Sequence, residues 1–208
     1  GVCVQGGLSG ATSVSSASHI ANAVGIKVFS TGGIGGVHKD YKSTLDMSQD
    51  LYSLSETPLV VVCSGVKSFL DVEKTIESLE TLGVTLLGYK TSNFPLFYSS
   101  SSNFALPFSV DNVEDVVSVF KCNLESGLKS SLLVLNPVHK SDQIPAKTIN
   151  KIISKSISKM KLNKIVGKET TPFLLKNIAK QTKNKSLETN ISLALNNVRL
   201  GAKIAKSF

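Results

Sequence analysis

Two kinds of apolar pattern alternate along the chain. Short, largely apolar stretches occur at Ile26–Ser30, Pro58–Cys63, Val84–Gly88 and Leu132–Leu135. They predict strands, and the continuous run Pro58–Cys63 one covered on both faces, as in a parallel sheet. Elsewhere apolar residues recur every three or four positions and predict helices. These span Thr12–Val24, stopped by Gly25; Ser48–Ser55; Ser68–Leu82, with Ser68 and Asp71 as a capping box and Gly83 as the stop; and Val113–Glu125, whose early acids offset the helix dipole. Beyond Asn136-Pro137 three more helices are predicted, at Ala146–Lys161, Pro172–Thr182 and Leu187–Lys206, with Thr171 as cap and Pro172 as first helical residue of the second. Val2–Val4 predicts a strand stub before the Gly/Ser turn Gly6–Gly10, and the aromatic, serine-rich residues 91–109 predict a loop. Alternation of strand and helix implies an α/β fold: a mainly parallel sheet flanked by helices, with a helical C-terminal region. No repeat or linker divides the sequence, so residues 1–208 are read as a single domain.

A chain of 208 residues buries roughly 70% of its unfolded surface and needs no disulfide or structural metal to fold. No uncharged apolar run approaches the roughly 18 residues of a membrane span. The three cysteines, Cys3, Cys63 and Cys122, are odd in number and include no CxxC pair, which argues against a disulfide framework or a zinc knuckle. A reducing compartment, and hence a cytoplasmic location, is expected. No charged-then-apolar leader opens the chain. It starts at Gly1-Val2-Cys3-Val4 without an initiator methionine, and is read as a fragment or truncated product.

The formal net charge of +8 raises the question of nucleic acid, but its distribution points elsewhere. Residues 1–120 carry 6 lysines against 11 acids, while residues 121–208 carry 16 lysines and one arginine, Arg199, against 4 acids. Base-reading and phosphate-forking surfaces favour arginine, whose planar fork binds bidentately. Lysines spread over helices are read as solvated faces, so no nucleic-acid partner and no membrane partner are expected.

Three stretches carry candidate chemistry. Thr31-Gly32-Gly33-Ile34-Gly35-Gly36 follows a predicted strand, where glycines let backbone N–H groups approach an anion. Neither the dinucleotide fingerprint nor the P-loop is present, and a plain tight turn remains open as the other reading. Lys67 follows the buried strand through Cys63-Ser64-Gly65-Val66, at the carboxyl end where open α/β sheets bind ligands. A lysine partly desolvated there is suited to form a Schiff base. The alternative is a solvated lysine, although a cation near a helix N-terminus is electrostatically unfavourable. Asp46-Met47-Ser48-Gln49-Asp50 offers two carboxylates and a hydroxyl, which suits Mg²⁺ or Mn²⁺ shared with water and phosphate oxygens, or equally a helix cap. His38 and His139 have no partner at metal-binding spacing and are read as surface or satisfied histidines.

Together these segments resemble the pseudouridine-5′-phosphate glycosidase family, the indigoidine-synthase A-like proteins. Gly10-Ala11-Thr12-Ser13-Val14, the run from Gly25 through Gly32-Gly33-Ile34-Gly35-Gly36 to His38, and Asp46–Asp50 carry the resemblance first. Val61–Ser68 with Leu70-Asp71, Leu79–Val84, Asn136-Pro137, Gly167–Leu175 and Thr189-Asn190-Ile191 continue it in order over essentially the whole chain.

The resemblance implies reversible cleavage of the C–C glycosidic bond of pseudouridine 5′-phosphate to uracil and ribose 5-phosphate. It assigns Lys67 as the nucleophile that attacks C1′ and forms an imine with the ring-opened sugar, and Asp46 as the ligand of one Mn²⁺ per subunit. Val14, Ser48, Gln49 and Asp50 match substrate-contacting positions, and Asn190 matches an active-site asparagine. A homotrimer is implied as well. By the same resemblance the family's general-acid glutamate and a second substrate lysine lie upstream of the segment matching Gly1, so the chain is read as lacking the family's N-terminal segment. The family continues after its histidine with Arg-Gly, where this chain has Lys39-Asp40, and residues 91–109 have become serine-rich. The competing reading is a catalytically inactive truncated paralogue that only folds or assembles.

Overall fold

In the computed structural model, which describes residues 1–10, 14–100 and 102–208, the apolar runs lie side by side as a parallel sheet. Its strands are β1 (Val28–Ser30), β2 (Val60–Cys63), β3 (Thr85–Tyr89), β4 (Ser109–Val110) and β5 (Leu132–Leu135), in the order β1-β2-β5-β3-β4. Every pairing is parallel, and β5 is inserted between β2 and β3, with Val61 and Leu86 both opposite Leu133. All four residues of β2 and of β5 are buried, which accounts for their lack of polar alternation.

The pleat sorts these strands into two apolar layers. Val61, Cys63, Leu133 and Leu135 face a core built with α2 (Val14–Ala23), α4 (Gln49–Glu56), α5 (Val72–Thr81), α7 (Ala146–Leu162) and α8 (Thr170–Gln181). Val60, Val62, Leu132 and Val134 face α6 (Val113–Glu125) and the C-terminal half of α9 (Lys185–Lys206), through Val116, Phe120, Leu200 and Ile204. Close approach of α9 to β1 depends on Gly201, where a Cβ would fall 2.1 Å from Ser30 Oγ. Among the described residues no helix is long and apolar enough to cross a membrane.

The α/β class, the parallel sheet and the helical C-terminal region stand as the sequence implies; some local readings do not. Val2–Gly6 forms a short helix, α1, rather than a strand stub, closed at Gly7 in the left-handed region. The sheet offers these residues no neighbour, so a helical turn satisfies their backbone locally. The helix expected from Ser68 begins at Val72, because the Asp71 N–H donates to Val37 O at 2.8 Å and holds Asp71 extended. Asp71 is therefore the cap, accepting from the Lys74 N–H. Pro172 is the third residue of α8 and not the first, still within the turn whose N–H groups lack helical partners. Within 91–109, Ser109-Val110 pairs with β3, and a further one-turn helix, α3 (Tyr41–Thr44), precedes Asp46. The expected start of α2 falls on residues 11–13, outside the described ones.

Candidate active site

The carboxyl ends of β1 and β2 do not diverge into independent loops. Thr31 N–H donates to Val62 O, Ser64 N–H to Gly32 O, Ile34 N–H to Gly65 O, and Lys67 N–H to Ile34 O, each at 3.0–3.1 Å. The glycine stretch and the Ser64–Lys67 segment thus run on as a parallel ladder beyond the sheet proper. None of Gly32, Gly33, Gly35 and Gly36 has a positive φ, so the stretch is neither a tight turn nor a nest of free amides. Its glycines are needed for space. A Cβ on Gly33 would lie 2.6 Å from the Phe97 ring, and one on Gly35 would lie 2.1 Å from Ser48 Oγ. Gly65 is the exception that needs its backbone freedom: φ is +89°, and a Cβ would meet Pro95 O at 2.1 Å.

That ladder ends at a pocket of about 270 Å³. Lys67 enters it half-buried, with Thr31, Gly32 and Gly33 beneath and Val14 and Ala17 from the first turns of α2. Asn190 and Leu175 close it from α9 and α8, and Phe29 and Phe97 supply aromatic walls. Asn190 Oδ1 stands directly over Gly32, where a Cβ would approach it to 3.2 Å. Of the residues singled out in the sequence, Lys67, Val14 and Asn190 therefore meet here.

Asp50 and Ser48 lie one layer below. The Asp50 carboxylate is buried (2% exposed) and accepts from the Gly35 N–H at 2.8 Å and the Ser15 N–H at 3.0 Å. It fastens the glycine stretch to the start of α2, which carries Val14. Ser48 Oγ accepts from the Asp50 N–H and caps α4. Gln49 is exposed and lines a different cavity between α2 and α4, beside His19 and Tyr52. Asp46 is also exposed and does not line the Lys67 pocket; His38 Nδ1 stands 3.7 Å from its Oδ2.

Among the described residues no three His, Cys, Asp or Glu side chains come together as a metal cage. An exposed carboxylate beside an imidazole does fit a hard divalent ion that keeps most of its shell as water and phosphate oxygens.

Burial displaces two other titratable groups. Burial pushes the Cys63 thiol up to about 12, against a backbone hydrogen bond from Gly65. Burial also lowers the Lys39 ammonium below the usual lysine value, which the Asp71 carboxylate opposes.

Sequence reasoning missed Phe97. It is a buried aromatic in the left-handed region (φ 62°), anchored by its N–H to Ser64 O at 3.0 Å and packed edge-on against Tyr98. Only the aromatic density of residues 91–109 hinted at it.

The family model described as "Indigoidine synthase A like protein" matches residues 1–207. The chain belongs to that family. Its curated relatives include the pseudouridine-5′-phosphate glycosidase of Glaesserella parasuis serovar 5 (strain SH0165), 42% identical over 199 residues that make up 96% of this chain and 66% of the relative. The protein of the same name from Alkaliphilus metalliredigens (strain QYMF) is 45% identical over 95% of this chain and 64% of its own length. The chain thus spans a little under two thirds of the length of these relatives. Among solved structures, an indigoidine synthase A-like protein of Thermotoga maritima superposes with a TM-score of 0.86 at 40% identity, covering 93% of this chain and 63% of that one. The prealnumycin C-glycosynthase AlnA, crystallised in complex with ribulose 5-phosphate, gives a TM-score of 0.91 at 30% identity, covering 98% and 67%.

Proposed function

We propose that this chain is the lysine-bearing part of a pseudouridine-5′-phosphate glycosidase, cleaving the C–C bond between ribose 5-phosphate and uracil reversibly. The observation that carries the reading is the half-buried Lys67 in a pocket at the carboxyl end of the sheet, shared with Val14 and Asn190, in a chain 42–45% identical to proteins of that name. AlnA, named a C-glycosynthase and bound to a sugar phosphate, supports a C-glycoside chemistry for this framework.

The chemistry requires such a residue. A C-glycoside has no heteroatom between sugar and base, so protonating oxygen or nitrogen does not expel the base directly. In the proposed reaction Lys67 Nζ bonds to C1′ while the ring oxygen leaves and takes up a proton. A second proton goes onto uracil C5, and the C1′–C5 bond breaks with its electron pair returning to the uracil ring. The nitrogen lone pair then forms the C1′=N imine, which water hydrolyses to ribose 5-phosphate and free lysine. Asn190 is assigned to orient the sugar over Gly32, and the apolar walls of Phe29, Phe97 and Leu175 to exclude water around the imine. Ser48 and Asp50 hold the glycine stretch in register, and Gln49 is assigned as a further substrate contact. Asp46, with His38 beside it, would hold one Mn²⁺ per subunit, which supplies positive charge toward the 5′-phosphate. By family resemblance the assembly is a homotrimer, and the location is cytoplasmic.

Release of uracil from pseudouridine 5′-phosphate in the presence of Mn²⁺, followed by liquid chromatography, tests the reading. Lys67→Ala should reduce release to background. Equal turnover by wild type and Lys67→Ala would overturn it.

A further inference from the structure

Seven residues after Asn190, two turns along the same face of α9, Asn197 is fully buried with every polar atom of its side chain engaged. Its Nδ2 donates to Thr31 O at 2.8 Å and to Ser64 Oγ at 3.0 Å, and its Oδ1 accepts from Asn136 Nδ2 at 2.9 Å. Ser64 Oγ in turn donates to Asn136 O at 2.8 Å, and Ser30 Oγ donates to the Asn197 carbonyl at 3.2 Å. One amide therefore joins the carboxyl ends of β1, β2 and β5 to the helix that carries Asn190.

Each strand end so joined leads into the pocket or braces it. Thr31 lines the pocket and precedes Gly32-Gly33; Ser64 is three residues before Lys67, and its carbonyl receives the Phe97 N–H. The sheet's own hydrogen bonds fix β2 against β5 only as far as Cys63 and Leu135. Beyond that point the buried side-chain link between the strand ends and α9 passes through Asn197, Ser64 and Asn136. An apolar residue would leave buried donors and acceptors unpaired, and an aspartate would set its carboxylate against Thr31 O.

We propose that Asn197, acting with Ser64 and Asn136, is a positioning residue that sets Lys67 against Gly32 and Asn190 in the geometry required for attack. This rests on Lys67 being the imine-forming residue. A displacement of about 1 Å at a reacting amine costs on the order of a hundredfold in rate while leaving contacts to the rest of the ligand in place. The effect therefore falls on the chemical step and not on affinity.

The test compares wild type, Asn197→Ala and Ser64→Ala, each first shown to be folded by circular dichroism. Two quantities are read: the dissociation constant for ribose 5-phosphate by calorimetry, and the first-order rate of borohydride-trapped adduct at saturating sugar phosphate. Asn196→Ala, whose amide lies 3.4 Å from Pro137 O, is the neighbouring control. The proposal expects the trapping rate to fall about tenfold or more in both network variants, with the dissociation constant within about threefold and the control unchanged. If Asn197→Ala does not fold, the same split in Ser64→Ala decides. Unchanged trapping rates in folded variants, or a loss confined to the dissociation constant, overturn this proposal alone. Absence of any Lys67 adduct in wild type overturns it together with the imine reading on which it rests.

Discussion

Cys63 shows how burial keeps a thiol next to the Lys67 segment unreactive. It is the last residue of β2, four positions before Lys67, and its thiol is fully buried with its pKa raised to about 12. A thiol held neutral and enclosed does not react with thiol reagents while the fold is intact. Cys3 and Cys122 are exposed. In the native protein two thiols should react promptly with a chromogenic disulfide, and the third only after denaturant is added. Three fast thiols in a chain that is otherwise folded would show that β2 opens at its carboxyl end. Lys67 itself was legible from its position, because a continuous apolar run followed by a glycine step places the next polar residue at a strand's carboxyl end. Asn197 was not legible in that way. It lies in a helix whose pattern calls for an apolar residue, and only the three strand ends it touches, each far away in sequence, give it meaning.

At the scale of elements, the parts that could be read directly were those with their own local logic. α6 and β5 occupy the predicted residues because Asn112 caps the one and both flanks of the other are polar or turn-forming. Elements whose limits are set by distant partners are not legible in the local sequence. α5 starts only after Asp71 because Val37 O holds that residue extended as the cap, and β4 exists because β3 is beside it. α7 poses a different problem. Lys147, Lys151, Lys155 and Lys159 recur every four residues on its exposed side, opposite the buried Ile149, Ile153 and Ser156. Like charges at that spacing repel by about 0.2–0.5 kcal/mol per pair. Replacing Lys151 with Glu turns two repulsions into attractions and should stabilise the fold by about 1–2 kcal/mol in low salt. Thermal unfolding at low salt and in 0.5 M NaCl checks this, since screening should shrink the gain. A gain that persists in high salt would assign it to packing instead.

For the whole molecule, the excess of positive charge follows from these outward lysine faces, while the acids of residues 1–120 hold structural posts such as Asp50 and Asp71. The site sits where the β1 and β2 ends are bridged by α9, so a pocket built from residues 14 to 190 depends on the sheet and the C-terminal helix together. Lys67, Val14 and Asn190 converge there, whereas Asp46 and Gln49 stand on exposed surface outside the pocket lining. Everything proposed for this pocket requires the formation of an imine between Lys67 and a sugar phosphate. It is tested most directly by incubating the protein with ribose 5-phosphate and Mn²⁺, reducing with borohydride and locating the adduct by intact and peptide mass spectrometry. One sugar-phosphate adduct is expected, on the peptide carrying Lys67 and absent from Lys67→Ala. A folded protein with no adduct, or with the adduct on another lysine and retained in Lys67→Ala, would contradict it.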